Sequence, residues 1–329
     1  MKKIAFKIAF SSNVGSGHLY RSARLAEKLK KKGVITYFLI DKKINKKFFF
    51  LIKKFNHCVL KKNFRSEINF LKSENINNII IDSPKLTIKK QQKYKINLKK
   101  LFVYQDIPLK NVADVIINHN YIKNAEKIYK KLSTKNCTLL LGPRFYLMEK
   151  YKSTIKKKKI ISIFLGGNAP KIILEKILKI LISINLKNFK IIIFSGIFNK
   201  SLFYLKNKYS QIKIQIRVQE NHRNFFKVIA GSKFFFSSGG STIIESIFLK
   251  TPTIAILRTK NQLNNCLNFS REKLIFFNGK KIDYYQIKEF IYNLINEKKI
   301  YNKYLYNLDL FKKKHLKNDL ANIILKEIK

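Results

Sequence analysis

The chain has no tryptophan, and only three cysteines, five prolines and eleven glycines in 329 residues. Cys58, Cys137 and Cys266 are odd in number and far apart, with no Cys-x-x-Cys pair. Neither a disulfide framework nor a zinc knuckle follows, and this usage fits a reducing cytoplasm. His18, His57, His119, His222 and His315 include no His-Glu-x-x-His and no close pair, so no metal site is expected. Long apolar runs are missing as well. None approaches the ~20 residues of a spanning helix, and stable membrane insertion is not expected. The start Met1-Lys2-Lys3-Ile4-Ala5-Phe6 has the outline of a signal peptide, but Lys7 interrupts it and no small-residue cleavage site follows.

Acidic residues are scarce too: 19 stand against 69 lysines and arginines, for a formal net charge of +50. Such an excess invites a nucleic-acid or anionic-membrane reading. The kind of base argues against it. Only eight of the 69 are arginine, whereas direct readout of phosphates and bases favours the guanidinium fork. Lysine excess accompanied by abundant Ile, Asn, Phe and Tyr is what an AT-rich coding sequence produces whatever the protein does. No nucleic-acid partner is expected on this ground.

Hydrophobic residues make up 46% of the chain, enough for real cores, and the length suits about two domains. The apolar runs are strand-sized. Residues 4–10, 34–40, 78–81, 101–104, 115–117 and 138–141 read as buried strands in the first half. Residues 160–165, 190–194, 212–218, 233–236, 253–257 and 274–277 do so in the second. Near-continuous β-branched and aromatic runs suit strands covered on both faces. Amphipathic stretches lie between them; in residues 173–184, Leu174, Ile177, Leu178, Leu181 and Ile184 share one helix face. Alternation of this kind predicts α/β domains with parallel sheets. Gly142-Pro143 and the run Lys156–Lys159 suggest a linker near residues 143–158. The expected domains are therefore 1–145 and 155–329, with the amphipathic stretch 300–329 able to pack back across the linker.

In open parallel sheets ligands bind beyond the carboxyl ends of the strands. The first such loop runs Ser11-Ser12-Asn13-Val14-Gly15-Ser16-Gly17-His18, with Arg21 one helical turn further on. Tyr20 breaks a full Gly-x-Gly-x-x-Gly, so a dehydrogenase-type cofactor is poorly supported. An imidazole titrates near neutrality, and His18 ends a glycine-rich strand-to-helix loop, which suits proton transfer. The other four histidines are read as structural. A second loop, Ser237-Ser238-Gly239-Gly240-Ser241-Thr242, followed by Glu245, offers backbone N–H groups and hydroxyls at a helix start, a cradle for a diphosphate. The plainer reading makes Ser241 an N-cap and Glu245 a helix acid, and both can hold at once. Gly166-Gly167-Asn168 and Asn261-Gln262 also follow strands on that side.

These loops carry a resemblance. Gly-x-Gly-His-x-x-Arg in the first half and Ser-x-Gly-Gly-Ser-Thr-x-x-Glu with Asn-Gln in the second are similar to the nucleotide-sugar hydrolase family of pseudaminic acid biosynthesis. Its members act on UDP-2,4-diacetamido-2,4,6-trideoxy-β-L-altropyranose. The family is related to spore-coat polysaccharide proteins and, in fold, to the lipid II-forming glycosyltransferase. The match extends through Ile81-Asp82-Ser83, Tyr104-Gln105-Asp106, residues 113–118, Leu141-Gly142-Pro143 with Tyr146, and Leu165-Gly166-Gly167-Asn168. Order and spacing hold over most of residues 1–270.

The resemblance implies a GT-B architecture, two doubly wound Rossmann-like domains facing across a cleft, with UDP held mainly by the second. It implies a cytoplasmic, metal- and cofactor-independent enzyme in which His18 activates water for attack at the anomeric carbon. Substrate contacts carried over are Gly15, Gly17, Arg21, Asp106, Tyr146, Gly167, Asn168, Ser238, Gly239, Gly240, Ser241, Thr242, Glu245, Asn261 and Gln262. Lys7 and Ala9 stand where members often carry Arg and Asp, and Gln105-Asp106 replaces Asp-Asp. The sugar-side half is therefore less faithful than the UDP side. The alternative is a GT-B glycosyltransferase with a separate acceptor, for which the stretch Lys46–Phe55, with Phe48–Ile52 between lysines, could form a docking surface; core packing is the preferred reading of that stretch. The oligomeric state stays open, a monomer among the options.

Overall fold

The computed structural model describes all residues except 10–16, 41–48, 60–62, 149–154, 168, 187, 196–201, 203, 211, 219–221, 317–318 and 329. It divides into two compact units, Met1–Leu147 with Asn318–Lys329, and Met148–Lys317.

The first unit carries strands β1 (Lys3–Ile8), β2 (Ile35–Ile40), β3 (Asn56–Val59), β4 (Asn78–Asp82), β5 (Lys100–Tyr104), β6 (Val115–Asn118) and β7 (Thr138–Leu141). They form one sheet in the order β3-β2-β1-β4-β5-β6-β7, parallel at every pairing. Helices α1 (Gly17–Lys30), α2 (Phe64–Ser73), α3 (Ile88–Asn97) and α4 (Ala125–Leu132) are interleaved. The sheet is apolar because both its faces are covered: all five residues of β4 are buried. Leu39, Ile68, Leu71, Ile79, Val103 and Tyr129 share one core cluster, each contributing roughly 1.5–3 kcal/mol by full burial. Strand order reverses between β1 and β4, which makes their carboxyl ends the switch point of this sheet.

The second unit repeats the plan with β8 (Ile160–Phe164), β9 (Lys190–Ser195), β10 (Lys213–Val218), β11 (Phe234–Ser238) and β12 (Thr253–Ile256), ordered β10-β9-β8-β11-β12. All its pairings are parallel, and its switch point lies between β8 and β11. The helices are α5 (Lys171–Ser183), α6 (Tyr204–Lys208), α7 (His222–Gly231), α8 (Ser241–Phe248), α9 (Leu263–Arg271), α10 (Tyr284–Asn296) and α11 (Lys298–His315). α5 buries Leu174, Ile177, Leu178 and Leu181, as the spacing predicts, and ends where Asn185 turns at φ 57°.

Three features differ from the sequence reading. β3 was not expected, because Asn-His-Cys-Val contains no apolar run; it is an edge strand held by β2 alone. Residues 274–277 form no sheet strand. Phe276 makes one bridge to Ile254, with Ala255 N donating to Phe276 O at 2.8 Å, and Gly279 at φ +107° ends the run. Finally, α12 (Leu320–Glu327) belongs to the first unit rather than to a domain 155–329. It buries Leu320, Ala321 and Ile324, and Lys100 pairs with Glu327 at 2.8 Å.

Candidate active site

In the first unit the polar residues gather at the carboxyl edge of the sheet. His18 and Arg21 are three residues apart in α1 and so share a face. Asp82 ends β4, Asp106 follows β5, His119 and Asn120 follow β6, and Tyr146 follows β7. His18 Nδ1 lies 2.5 Å from Asp82 Oδ1, and Arg21 Nε donates to Asp82 Oδ2 at 2.6 Å. Arg21 Nη2 also donates to Asp82 Oδ1, while Ser22 Oγ donates to Oδ2 at 3.2 Å. Asp82, 1% exposed, thus accepts four hydrogen bonds and has no capacity left for a substrate.

Nδ1 of His18 faces a carboxylate, the arrangement that favours a neutral ring with its proton on Nδ1 and the lone pair on Nε2. Arg21 Nη2, at 2.9 Å from Nδ1, is close because both groups converge on one oxygen, not because it donates to the ring. Burial works against ionisation of Asp82, but the Arg21 charge and then His18 outweigh it and hold the carboxyl well below the usual range. Asp106 is shifted the same way: burial opposes, and Arg21 overrides. Arg21 Nη1 reaches Asp106 Oδ1 at 2.6 Å, and Tyr104 lies under the guanidinium at 4.6 Å.

Two neighbours extend the cluster. His119 meets Tyr146 edge-on at 5.1 Å and Tyr104 at 6.5 Å. Burial first, then the Arg21 charge, pushes its pKa down to about 4, so this imidazole is neutral at pH 7. Tyr146 Oη accepts from Arg24 Nη1 at 3.0 Å. Arg21, Asp106 and Tyr146 therefore join the cluster that holds His18. Gly15 lies outside the described residues. Gly17 opens α1, where a Cβ would meet nothing within 4 Å, so packing does not require glycine there.

Sequence reasoning matched Asp82 only as part of a motif, and it set His119 aside as structural. The usable signal was positional: an acid closing the fully buried run Asn-Ile-Ile-Ile-Asp sits at a strand's carboxyl end. Two of the remaining histidines pack against phenylalanines. His57 stands edge-on to Phe49 at 5.1 Å and His315 lies against Phe311 at 4.2 Å. Lys7, where the resemblance expects arginine, pairs with buried Glu67 at 2.6 Å.

In the second unit three loops leave neighbouring strands. Gly166, at φ +91°, turns the chain after β8; Gly167 follows in open space, and Asn168 lies outside the described residues. After β11, Gly240 caps α8 without any side-chain cap, and Ser241 is the first helical residue. First-turn N–H groups there are thus not taken by a capping side chain. Ser237 and Thr242 hydroxyls pair across the turn at 2.7 Å, Ser238 closes β11, and Glu245 is buried one turn into the helix. After β12, Arg258 Nη1 donates to Leu165 O at 2.9 Å, tying this loop to the end of β8. Asn261 and Gln262 form a short 3-10 turn, with Gln262 Oε1 accepting from Arg258 N at 3.2 Å.

Gly239 is sterically required. A Cβ there would lie 2.5 Å from Cys266 Sγ and 2.7 Å from Gln262 Cβ. Burial pushes the Cys266 thiol up to about 12, so the sulfur serves packing. Gly239→Ala is expected to cost about 1–3 kcal/mol by overpacking. Urea unfolding checks this, and Gly239→Ala with Cys266→Ala should recover only part of the loss, because Gln262 remains.

No family model matches the chain. An uncharacterised protein of Methanocaldococcus jannaschii is 27% identical over 286 residues, 79% of this chain and 56% of the relative. The chain spans about half the length of the curated relative it matches. Solved structures align far more fully. MurG of Acinetobacter baumannii superposes with a TM-score of 0.70 at 11% identity, covering 100% of this chain and 99% of its own. UGT2 of Phytolacca americana, solved with UDP-2fluoro-glucose and pterostilbene, gives 0.68 at 11% identity over 99% and 98%. The chain has the GT-B fold. A Listeria monocytogenes protein assigned as a UDP-N-acetylglucosamine 2-epimerase matches at 0.63, with 10% identity over 97% and 98%, so the GT-B plan here is shared by differently named enzymes. Among the described residues no helix is long and apolar enough to cross a membrane, and no group of three or more His, Cys, Asp or Glu is placed to hold a metal ion.

Proposed function

We propose that this GT-B chain is a nucleotide-sugar hydrolase that splits UDP-2,4-diacetamido-2,4,6-trideoxy-β-L-altropyranose in pseudaminic acid biosynthesis. The observation that carries the reading is the His18–Asp82 pair. Asp82 fixes Nδ1–H and leaves Nε2 as the basic atom, the arrangement a general base needs. Water oxygen attacks C1, Nε2 takes the proton, and the C1–O bond to the diphosphate breaks with inversion. Asp82 then stands beside the imidazolium that forms.

The second unit receives the leaving group. Developing charge on UDP is met by N–H groups at the start of α8, with Ser238, Gly239, Gly240, Ser241 and Thr242 as the cradle. Gly167, Asn168, Asn261 and Gln262 complete the nucleotide contacts, and Glu245 accepts from the ribose hydroxyls, as the resemblance implies. Glu245→Ala should remove one to two charge-assisted hydrogen bonds of about 1.5–3 kcal/mol. UDP affinity measured by calorimetry should fall at least tenfold; unchanged affinity would take Glu245 out of the site.

A second reading is a transferase, in which an acceptor hydroxyl replaces water at the same base; the names of the solved neighbours favour it. Its candidate docking stretch does not. Residues 46–48 lie outside the described residues, Ile52 and Phe55 are buried, and Phe55 packs on Phe38 at 5.2 Å, leaving Phe50 41% exposed. Incubation with the UDP-sugar, a chelator and no acceptor separates the readings. Catalytic UDP release supports hydrolysis, and release only when an acceptor is added assigns transfer.

A further inference from the structure

We propose that Asp106 is a positioning residue that acts through Arg21 on Asp82 and the His18 ring, and that neither Asp106 nor Arg21 binds the substrate. The inference rests on the hydrolase reading, but its main readout does not. Arg21 has five N–H groups, and four are engaged: Nε on Asp82 Oδ2, Nη1 on Asp106 Oδ1 at 2.6 Å, and Nη2 on Asp82 Oδ1 and Asp106 Oδ2 at 3.4 Å. A fork filled in this way has no pair of donors left for a phosphate or a sugar carboxylate.

The planar guanidinium transmits geometry. It fits between two carboxylates at the ends of different strands, has its Cζ over the Tyr104 ring at 4.6 Å, and is 13% exposed. Asp106 is itself held, because Asn120 Nδ2 donates to Asp106 O at 2.8 Å. Asp106 thereby fixes the far edge of the guanidinium, the near edge fixes both Asp82 oxygens, and Asp82 Oδ1 sets the tautomer of His18. The chain Asn120–Asp106–Arg21–Asp82–His18 spans the ends of β6, β5, α1 and β4. With its near edge alone, Arg21 could rotate away and Asp82 would lose its fixed aim.

The groups around the ring are Asp82, Arg21 and, one step out, Asp106 and His119. A free imidazole prefers its proton on Nε2, so an Nδ1–H tautomer reports the Asp82 contact directly. The test is ¹⁵N NMR of histidine-labelled protein, with His18 assigned by His18→Gln, alongside steady-state kinetics. In the wild type, neutral His18 should be the Nδ1–H tautomer. In Asp106→Asn it should become a mixture, and kcat should fall by about 10²-fold with KM changed less than about threefold, as expected for a misaimed base.

Arg21→Lys should give the same signature, since a point charge cannot hold both carboxylates. It serves as the second variant if Asp106→Asn does not fold by circular dichroism. An unchanged His18 tautomer in Asp106→Asn, with raised KM and retained kcat, overturns the proposal and makes Asp106 a sugar contact. Loss of the tautomer in Asp106→Asn, together with a wild type that turns over no UDP-sugar, retains the clamp and fails the hydrolase reading instead.

Discussion

His18→Asn should lower turnover of the UDP-sugar by about 10²–10⁴-fold, the usual worth of a positioned general base. Asparagine keeps a polar group beside Asp82 but cannot take a proton at the place of Nε2. UDP affinity should stay within about twofold, because the proposed nucleotide contacts lie in the other unit, in the loops after β8, β11 and β12. Single-turnover kinetics paired with UDP calorimetry make the distinction. A parallel loss of affinity would mean that the substitution had disturbed the fold, and retained turnover would remove the proposed base.

Asp82→Asn should damage both activity and stability. An amide can turn its NH₂ toward Nδ1, which moves the ring proton to Nε2 and blocks the base; the loss in kcat should again reach about 10²–10⁴-fold. The stability effect follows from burial. Asp82 is 1% exposed and shares its two oxygens among His18, Arg21 and Ser22. Removing one partner of a buried ion pair costs about 3–5 kcal/mol. The remaining Asp106 pairing of Arg21 places the expected loss at the lower end.

The same substitution should change the acid limb of the stability curve. Arg21 and His18, against the opposing effect of burial, hold the Asp82 pKa well below its unfolded value. A carboxyl depressed in the folded state contributes stability that is complete above the unfolded pKa of about 4. That contribution declines as pH falls from there through the folded value. Wild-type protein should therefore lose stability below about pH 4 more steeply than Asp82→Asn. Equal slopes in urea titrations at pH 5, 4 and 3 would show that the paired carboxylate does not act on folding.

Much of the fold was legible because both sheets are covered on both faces, so each central strand announces itself as an unbroken apolar run. β4 with Ile79-Ile80-Ile81 and β11 with Phe234-Phe235-Phe236 are read directly. β3 was not, because an edge strand with one neighbour needs little apolar content, and Asn56 and His57 supply none. The bridge at Phe276 misled for the opposite reason. Leu274 and Ile275 are buried by packing without a full sheet ladder around them. The placement of α12 depends on contacts with α1 that no local pattern encodes.

Of the candidate site, loop glycines and hydroxyls were visible through spacing after strands. The glycine at 239 gained a reason only from geometry: Cys266 and Gln262, 27 and 23 residues further along, close on it. Asp82 and Asp106 are 64 and 88 residues from His18, so no sequence window shows that Arg21 joins them. The +50 charge, conspicuous in composition, has no part in this cluster. Its central cation, Arg21, is bracketed by two carboxylates. A cationic surface can still raise the local concentration of an anionic UDP-sugar, an effect that salt weakens.

The central claim is water attack at the anomeric carbon with His18 as base. Its most direct test is turnover of the UDP-diacetamido sugar in ¹⁸O-labelled water, without metal or acceptor, followed by mass spectrometry of both products. The account predicts label in the released sugar and none in UDP. Label in UDP, which marks attack at phosphorus, would contradict it.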